Sequence, residues 1–545
     1  MSVHPLAGKA ARPEDTINIA KLVSDYYLLK PDVSMLEQQV CFGTSGHRGS
    51  ANKASFNEHH IVAICQAIVE YRQTQGITGP LYLGKDTHAL SEPAFASAIS
   101  VLIANGVNVV IQQDEGFTPT PVISRLIIAH NQKAPAELAD GIIITPSHNP
   151  PADGGIKYNP PHGGPAQASI TKQIEKRANE LIAQQCQVVI QLAYQEAMQS
   201  SLLTKQDFIS FYTRELAKII DMQAIADAGV CIGVDPLGGS GIHYWGEIAQ
   251  RYGIQLSVVN PVVDASFSFM PLDKDGKIRM DCSSKYAMAN LINMKDDFDI
   301  SVGNDPDFDR HGIVTKTGGL MNPNHYLAVA IHYLLSHRNW GKERKIGKTL
   351  VSSSIIDRVA KKHNQPLAEV PVGFKWFVDG LDDTSFAFAG EESAGAAFIT
   401  KAGDTWTTDK DGFILALLAA EMLAVTGKDP HQIYADLAAE LGQPFYGRVE
   451  APANLAQKQK LTNLDATSIK VDSLAGDKIL QVMSHAPGNN AAIGGVKVVT
   501  DNAWFAARPS GTEDIYKIYA ESFVSEQHLQ LVIADAQRIV DGVFA

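Results

Sequence analysis

Apolar and polar positions follow a repeated order along the first 440 residues. Short apolar runs are followed by polar, glycine-rich turns and then by segments with helical periodicity, which is typical of α/β folds. A first series of such runs comprises LYLGKDT at 81–87, VCIGVDPLGGSG at 230–241 and KTLVSSSIID at 348–357. We interpret these three runs as one structural element used three times.

A second series places a polar motif directly after an apolar strand. Its members are GIIITPSHNP at 141–150, ISVGNDPDFDR at 300–310 and FAFAGEESAG at 386–395. One such motif falls in each of the proposed repeats, as expected for internally repeated domains. The pattern therefore predicts an α/β protein with three related α/β domains built on mixed sheets.

The order of apolar and polar segments changes after about residue 440. The segments GRVEAPA, AQKQKLTNL, VKVVTDN and IYKIYAES precede an amphipathic helix predicted from about 526 to 543. This order predicts a smaller carboxy-terminal α+β domain. The predicted domains are 1–200, 201–320, 321–440 and 441–545.

Two further helices are predicted, and neither is expected to cross a membrane. Residues 17–29 should form a helix packed on the first domain. The most apolar stretch, 413–425, contains Glu421 and is too short for a bilayer, so it predicts a buried helix. The amino terminus lacks the apolar core of a signal peptide.

Composition narrows the functional classes. A chain of 545 residues is longer than a single hydrophobic core usually organises, so several domains are expected. The contents of 45% hydrophobic and 19% charged residues are typical of a globular protein. The net charge of −13, without runs of Lys or Arg, argues against a nucleic-acid partner but permits a small anionic ligand. Five scattered cysteines predict reduced thiols and a cytoplasmic location.

The motif TPSHNPP, at 145–151, is the first candidate for chemistry. A serine at the end of a strand, on a turn constrained by proline, is well placed for nucleophilic attack. These residue types also build ordinary turns, so the motif alone leaves both interpretations open.

The motif NDPDFDR places Asp305, Asp307 and Asp309 on alternate positions beside Arg310. In a loop the three carboxylates can surround one cation, and their hard oxygen ligands suit Mg²⁺. A solvated acidic turn is the alternative, although the apolar strand before the motif disfavours it.

Three weaker motifs could bind a phosphorylated sugar. GTSGHRG at 43–49 carries Arg48 and matches neither the P-loop nor the dinucleotide fingerprint. GEESAG at 390–395 offers acceptors and donors for sugar hydroxyls, and RPSGTED at 508–514 offers an arginine fork and hydroxyls for a phosphate. Each is also typical of a simple loop.

The five motifs in this order resemble those of the α-D-phosphohexomutase family, from residue 43 to 514. The forms GTSGHRG and TPSHNPP are most similar to those of its bacterial phosphoglucomutases. The resemblance implies an isomerase that moves a phosphoryl group between glucose 1-phosphate and glucose 6-phosphate. It also implies a phosphoserine, Mg²⁺, and glucose 1,6-bisphosphate as intermediate and activator.

The resemblance assigns roles to individual residues. Ser147 is then the phosphoserine, and with Asp305, Asp307 and Asp309 it completes the Mg²⁺ shell. The other catalytic residues implied are Lys157, which matches a lysine proposed for acid–base work, and Arg48 and Arg310, which flank the phosphate. The substrate-binding residues implied are Lys375, Glu391, Ser393, Arg508, Ser510 and Thr512.

Other points concern specificity and alternatives. The sequence ESAGA lacks the histidine that phosphomannomutase-type relatives carry at the end of this loop, which favours glucose over mannose. We assign His148 to loop structure rather than to proton transfer. The partner expected is a small sugar phosphate, bound by a monomer or homodimer.

Phosphomannomutase and phosphopentomutase activities are the nearest alternatives. A metal-dependent sugar phosphatase or a glycosyltransferase with a DxD motif would explain the aspartates but would leave TPSHNPP and RPSGTED without a role. A non-catalytic sugar-phosphate sensor is a further alternative, and the loss of Ser147 or of an aspartate would have favoured it.

Overall fold

The computed structural model describes residues 3–43, 46–510 and 515–544. The chain divides into two compact units, which are described separately. The first comprises Met1–Met321, Phe377–Thr384 and Ser393–Asp429. The second comprises Asn322–Trp376, Ser385–Glu392 and Pro430–Ala545.

The first unit contains two sheets, and the elements around the first sheet occupy roughly the first 215 residues. They are α1 (Ile19–Leu28), β1 (His47–Ser50), α2 (Glu58–Gln75), β2 (Leu81–Lys85), α3 (Ser91–Ala104), β3 (Val109–Gln112), α4 (Thr120–Lys133), β4 (Asp140–Ile144), β5 (Asp153–Asn159), α5 (Ala168–Ala183), α6 (Tyr194–Met198), β6 (Leu203–Gln206) and α7 (Phe208–Glu215).

The first sheet has the strand order β1-β5-β4-β2-β3-β6. Strands β2, β3, β4 and β6 are parallel, whereas β5 runs antiparallel to both β4 and β1. Every residue of β2, β3 and β4 is buried, because helices cover a parallel sheet on both faces. Their carboxyl ends lie at one edge, where the polar motifs after β2 and β4 follow.

The second sheet of this unit has the order β11-β10-β9-β7-β8. Strands β7, β8 and β9 are parallel, and the antiparallel β10 returns directly from β9 through the aspartate loop. The elements are α8 (Met222–Ala228), β7 (Ile232–Asp235), α9 (Ile242–Tyr252), β8 (Leu256–Val258), α10 (Ala289–Asn293), β9 (Ile300–Gly303), β10 (Gly312–Thr315) and β11 (Gly319–Leu320).

Three later segments of the chain also belong to the first unit: α13 (Val378–Asp382), β15 (Gly395–Phe398) and α14 (Gly412–Thr426). The predicted buried helix is α14. It begins where the Asp411 side chain accepts hydrogen bonds from the backbone N–H groups of Phe413 (3.0 Å) and Ile414 (3.3 Å). Buried Glu421 accepts a hydrogen bond from the Asp221 N–H at 2.8 Å, which explains how the helix interior tolerates a carboxylate.

The second unit begins with an α/β segment whose strands β12, β13 and β14 are parallel, in the order β13-β12-β14. Its elements are α11 (Pro323–His337), β12 (Lys345–Thr349), α12 (Ile355–Lys362), β13 (Leu367–Val370), β14 (Phe386–Glu391) and α15 (Pro430–Leu441).

The carboxy-terminal part of the second unit is an antiparallel sheet with helices against it. The sheet has the order β16-β22-β21-β20-β19, and β17 and β18 form a separate two-stranded ladder. The elements are β16 (Phe445–Pro452), α16 (Leu455–Thr462), β17 (Ser473–Leu474), β18 (Asp477–Lys478), β19 (Gln481–His485), β20 (Ala492–Val499), β21 (Ala503–Pro509), β22 (Ile515–Ser522) and α17 (Glu526–Phe544).

The predicted fold class is confirmed. Both units contain the expected alternation of strands and helices, and the chain ends in a smaller α+β segment. The helix predicted at 526–543 is α17, and the one predicted at 17–29 is α1. Among the described residues no helix is long and apolar enough to span a bilayer.

Candidate active site

Ser147 lies in the turn that follows β4. The β4–β5 pairing ends at this turn, where the Thr145 N–H donates to the Gly155 carbonyl at 2.8 Å. Ser147 is about 1% exposed, so the predicted nucleophile is buried. Its Oγ donates a hydrogen bond to Asp305 Oδ2 at 2.8 Å, which joins the TPSHNPP turn to the aspartate loop.

The aspartate loop connects β9 to β10 and brings three carboxylates together. Oxygen atoms from Asp305, Asp307 and Asp309 lie within 4.8 Å of one another, and all three side chains are buried. The loop is anchored by Phe308, whose ring packs 4.6 Å from that of Phe413 and whose carbonyl accepts a hydrogen bond from the Gly412 N–H. The apolar side chain between Asp307 and Asp309 thus fixes the loop against the buried start of α14.

The three carboxylates fit a hard divalent cation. The Oδ1 atoms of Asp307 and Asp309 are buried, and neither has a hydrogen-bond partner in the described part of the chain. Unpartnered buried carboxylate oxygens are costly unless a cation or water satisfies them. Oxygen ligands in this number and arrangement suit Mg²⁺.

Four cationic side chains surround the carboxylates. Lys157 Nζ, on β5, lies 2.5 Å from Asp307 Oδ2 and 3.0 Å from Asp309 Oδ2. Lys410 Nζ approaches Asp309 Oδ2 at 2.9 Å, and Arg310 Nε lies 3.9 Å from Asp305 Oδ2. Arg48, on β1, is half-buried and interacts electrostatically with the same aspartates. Each of the three carboxylates therefore lies close to at least one cationic side chain.

The surroundings shift the pKa values of Asp305 and Asp309 in opposite directions. Burial raises the pKa of Asp305 well above its usual range, and the neighbouring Asp307 and Asp309 raise it further. Burial also acts on Asp309, but Lys157 and Lys410 outweigh it and hold the pKa of Asp309 well below the ordinary value. Asp309 is therefore ionised, whereas Asp305 needs a nearby cation to stay charged.

His148 lies beside the serine, with its Nδ1 3.2 Å from Ser147 Oγ. Burial lowers its pKa to about 3, and the positive charge of Arg310 acts in the same direction. The imidazole is thus neutral at physiological pH. The assignment of His148 to loop structure remains a prediction.

Two functional contacts were missed by the sequence analysis. Lys410 comes from the loop TTDKDG directly before α14, where charged residues preceding an apolar helix are a signal that could have been used. Thr120, the first residue of α4, donates from Oγ1 to Asp307 Oδ2 at 2.8 Å and from its N–H to the Asp307 carbonyl at 2.9 Å. Nothing in the sequence around Thr120 indicates this contact.

The remaining predicted site residues are distributed over the chain. Ser393 opens the last segment of the first unit, where it is half-buried. Lys375, Glu391, Arg508 and Ser510 belong to the second unit. Thr512 lies outside the described residues.

Within the second unit the predicted sugar and phosphate loops are close. Glu391 is buried and accepts a hydrogen bond from the Gly373 N–H at 3.0 Å, which ties its loop to the one that carries Lys375. Burial lowers the pKa of Arg508, whereas Glu391 is among the anionic groups that oppose this effect. Ser510 is buried, and its N–H donates to the Ile515 carbonyl at 2.9 Å.

The chain resembles a known family along most of its length. It matches four domains described as phosphoglucomutase/phosphomannomutase: alpha/beta/alpha domain I at residues 39–185, domain II at 210–319, domain III at 322–441 and the C-terminal domain at 455–538. It is 54% identical to a phosphoglucomutase of Komagataeibacter xylinus over 545 residues, which is 100% of this chain and 98% of that relative.

Solved structures share the fold at lower identity. Parafusin, a phosphoglucomutase from Paramecium in an open form, superposes with a TM-score of 0.75 at 21% identity, covering 94% of this chain and 96% of that one. A phosphoglucomutase/phosphomannomutase family protein from Burkholderia thailandensis gives a TM-score of 0.69 at 20% identity, covering 93% and 98%.

Proposed function

The chain belongs to the phosphoglucomutase/phosphomannomutase family of α-D-phosphohexomutases, and on that premise we propose that it interconverts glucose 1-phosphate and glucose 6-phosphate. The observation that carries the proposal is the 54% identity to a phosphoglucomutase along the whole chain. The enzyme is an isomerase of carbohydrate metabolism that acts on a sugar phosphate.

We assign the phosphoryl carrier to Ser147. In the first step the free sugar hydroxyl forms a bond to the phosphorus of phosphorylated Ser147 and the bond from phosphorus to Oγ breaks. The proton of the sugar hydroxyl is passed on to the released Oγ, so that Ser147 becomes a free hydroxyl. The product is glucose 1,6-bisphosphate. After the sugar has reoriented, Oγ forms a bond to the other phosphorus and the bond from that phosphorus to the sugar oxygen breaks. The sugar oxygen takes the proton that Oγ gives up, which leaves the isomerised monophosphate and restores the phosphoserine.

The cation site supports this assignment by its chemistry. We propose that Asp305, Asp307 and Asp309, together with the phosphate on Ser147, would hold Mg²⁺. When bound, the ion would supply the positive charge that phosphoryl transfer requires. The 2.8 Å contact between Ser147 Oγ and Asp305 Oδ2 supports this proposal, because the assigned phosphoryl carrier and the carboxylates are neighbours.

The surrounding cations have two proposed tasks. Burial alone would lower the pKa of Lys157, but Asp307 and Asp309 outweigh it and raise the pKa above the ordinary value. Lys157 is therefore a cation at neutral pH, and we assign it, as the family resemblance implies, to acid–base work beside the reacting groups. Arg48 and Arg310 are assigned to orienting the phosphate, because guanidinium groups offer paired donors.

Sugar recognition is assigned to loops whose chemistry fits a phosphorylated hexose. We propose that Glu391 and Ser393 bind sugar hydroxyls and that Lys375 contacts the ligand. Arg508, Ser510 and Thr512 are assigned to the phosphate that is not being transferred. The enzyme would take its substrate as a monomer or homodimer.

The direct test supplies the purified protein with glucose 1-phosphate, Mg²⁺ and a trace of glucose 1,6-bisphosphate. We expect glucose 6-phosphate as the main product, measured with a coupled dehydrogenase. Parallel reactions with mannose 1-phosphate and ribose 1-phosphate compare the alternative mutase activities. Release of inorganic phosphate as the main product would instead establish a phosphatase.

Arg508→Ala tests the assigned phosphate loop. A charged contact of this kind contributes about 1.5 to 3 kcal/mol. We therefore expect kcat/KM for glucose 1-phosphate to fall by roughly ten- to a hundredfold. The variant should also require more added bisphosphate, because the intermediate escapes before it reorients and leaves the serine without its phosphate.

The matched control for this variant is Arg448→Ala. Arg448 lies on β16 of the same sheet, its side chain is 52% exposed, and its partner is the neighbouring Glu450. The control should retain parental kinetics. If Arg508→Ala kept both the parental KM and the parental bisphosphate requirement, the RPSGTED loop would have no part in substrate binding.

A further inference from the structure

The backbone of Ser147 adopts an uncommon conformation. Its φ is +59°, in the left-handed region, although serine is not glycine. A non-glycine residue is disfavoured in this region and persists there only where its surroundings determine its conformation. Because the side-chain direction depends on this backbone, the same conformation directs Oγ towards Asp305.

The hydroxyl of Thr145 supplies the first of these constraints. Thr145 Oγ1 accepts a hydrogen bond from the Ser147 N–H at 2.8 Å and donates one to Asp86 Oδ2 at 2.6 Å. The carboxylate can only accept, so it fixes the hydroxyl hydrogen and turns an oxygen lone pair towards Ser147. Both Thr145 and Asp86 are buried, which keeps water from replacing either contact.

Sheet register explains why Asp86 can make this contact. The parallel pairing of β2 with β4 aligns Lys85 with Ile144, so the next residues on the two strands, Asp86 and Thr145, are neighbours. Asp86 is held in turn by Ser91, whose Oγ donates at 2.6 Å. The position of the carboxylate is thus set by the sheet and by the start of α3.

His88 extends the network to the far side of Ser147. Its Nδ1 lies 2.8 Å from Asp86 Oδ2, and its Nε2 lies 3.0 Å from the Asn149 carbonyl. Both partners are acceptors, so both ring nitrogens donate and the imidazole is cationic. The direction of the pKa shift of His88 agrees with a cationic imidazole. Burial lowers this pKa, but Asp86 outweighs burial and raises the pKa above the ordinary value.

We propose that Asp86, His88 and Thr145 form a brace that positions Ser147 for phosphoryl transfer. Within the brace, Thr145 lies before Ser147 in the turn and accepts a hydrogen bond from the Ser147 N–H. Asp86 holds Thr145, and His88 contacts the Asn149 carbonyl after Ser147, so the turn is held on both sides of the serine. Its members are positioning residues that touch neither substrate nor metal. The proposal rests on the proposed function of Ser147 and adds the groups that fix its backbone.

Thr145→Val is the primary test, because it replaces the hydroxyl by a methyl group of similar size. A displaced nucleophile slows the reaction without weakening substrate binding, so kcat should fall by about ten- to a hundredfold. The KM for glucose 1-phosphate should stay within about twofold, since the sugar-binding groups are unchanged. Thr145→Ser keeps the hydroxyl and should restore most of the lost kcat.

A second variant keeps the test decisive if Thr145→Val does not fold. His88→Gln leaves Thr145 intact but alters the contacts with Asp86 and Asn149. We expect a several-fold lower kcat at unchanged KM, and slower transfer of the phosphoryl group from glucose 1,6-bisphosphate to Ser147, followed by intact mass. Circular dichroism and thermal unfolding establish that the compared variants are folded.

The outcomes separate the brace from the function on which it rests. Absence of mutase activity in the parent protein would overturn the proposed function. Parental activity together with a parental kcat in the folded variants would overturn the brace alone. A loss of kcat in Thr145→Val that Thr145→Ser does not reverse would also overturn it, because the loss would then not depend on the hydroxyl.

Discussion

Ser147→Ala is expected to reduce mutase turnover by more than about a thousandfold, because the variant has no oxygen to carry the phosphoryl group. The other groups of the site cannot replace it, since the reaction requires a covalent bond from phosphorus to the enzyme. The methyl side chain fits the space of the hydroxymethyl group, and the fold should be retained. The measurement is glucose 6-phosphate formation with saturating glucose 1,6-bisphosphate.

Two additional readouts make this prediction specific. The parent protein should gain the mass of one phosphoryl group on incubation with the bisphosphate, whereas Ser147→Ala should gain none. Ser301→Ala is the matched control, because it removes a buried serine hydroxyl from β9 without a described hydrogen-bond partner. The control should keep parental turnover. More than a few per cent of parental activity in Ser147→Ala would show that Ser147 is not the obligatory carrier.

Asp307→Asn is expected to lower turnover by roughly a hundredfold or more through weaker Mg²⁺ binding, since it neutralises one of three anionic ligands. Asp307 Oδ2 accepts the hydrogen bonds from Lys157 and Thr120, whereas Oδ1 is buried without a described partner. When the amide oxygen of asparagine takes over the two hydrogen bonds, its NH2 group stands at the place of Oδ1 and cannot bind a cation. The Mg²⁺ concentration required for half-maximal activity should rise. Thermal stabilisation by added Mg²⁺ should be reduced, which gives a readout independent of catalysis.

The control for the metal site is Asp299→Asn. Asp299 immediately precedes β9 and forms an ion pair with Lys316 at 2.9 Å. The substitution therefore removes the same single negative charge as Asp307→Asn, but at the opposite end of the strand from the aspartate loop. It should leave the Mg²⁺ dependence unaltered. Excess chelator should inactivate the parent enzyme, and restored Mg²⁺ should reactivate it. Full activity in chelator would remove the metal from the mechanism.

Much of the fold could be predicted because its elements have strong local patterns. The apolar runs that become β2, β4 and β9 are short, are buried throughout and end at polar turns. The predicted helices α14 and α17 have lengths and apolar contents that distinguish them from strands. The strand order could not be predicted, because the local pattern does not state which strands pair.

The candidate site was predicted in part for a similar reason. Ser147 and the three aspartates stand in motifs whose residue types suit their chemistry, and the structure brings these two motifs into contact. Lys410 and Thr120 were missed because their contacts with the aspartates span a hundred residues or more. Proximity of this kind arises from the register of strands and the packing of helices.

The sequence by itself determined the class of the fold and indicated the candidate reactive groups, because residue chemistry and hydrophobic periodicity are local properties of the chain. Only the tertiary structure decided which charged groups share the candidate site, in which direction the pKa values of Asp305 and Asp309 are shifted and which conformation Ser147 adopts. These properties depend on distance and burial. Asp86 contacts Thr145 because β2 pairs with β4. The pKa of Asp305 is raised because the side chain is buried and because Asp307 and Asp309 lie beside it.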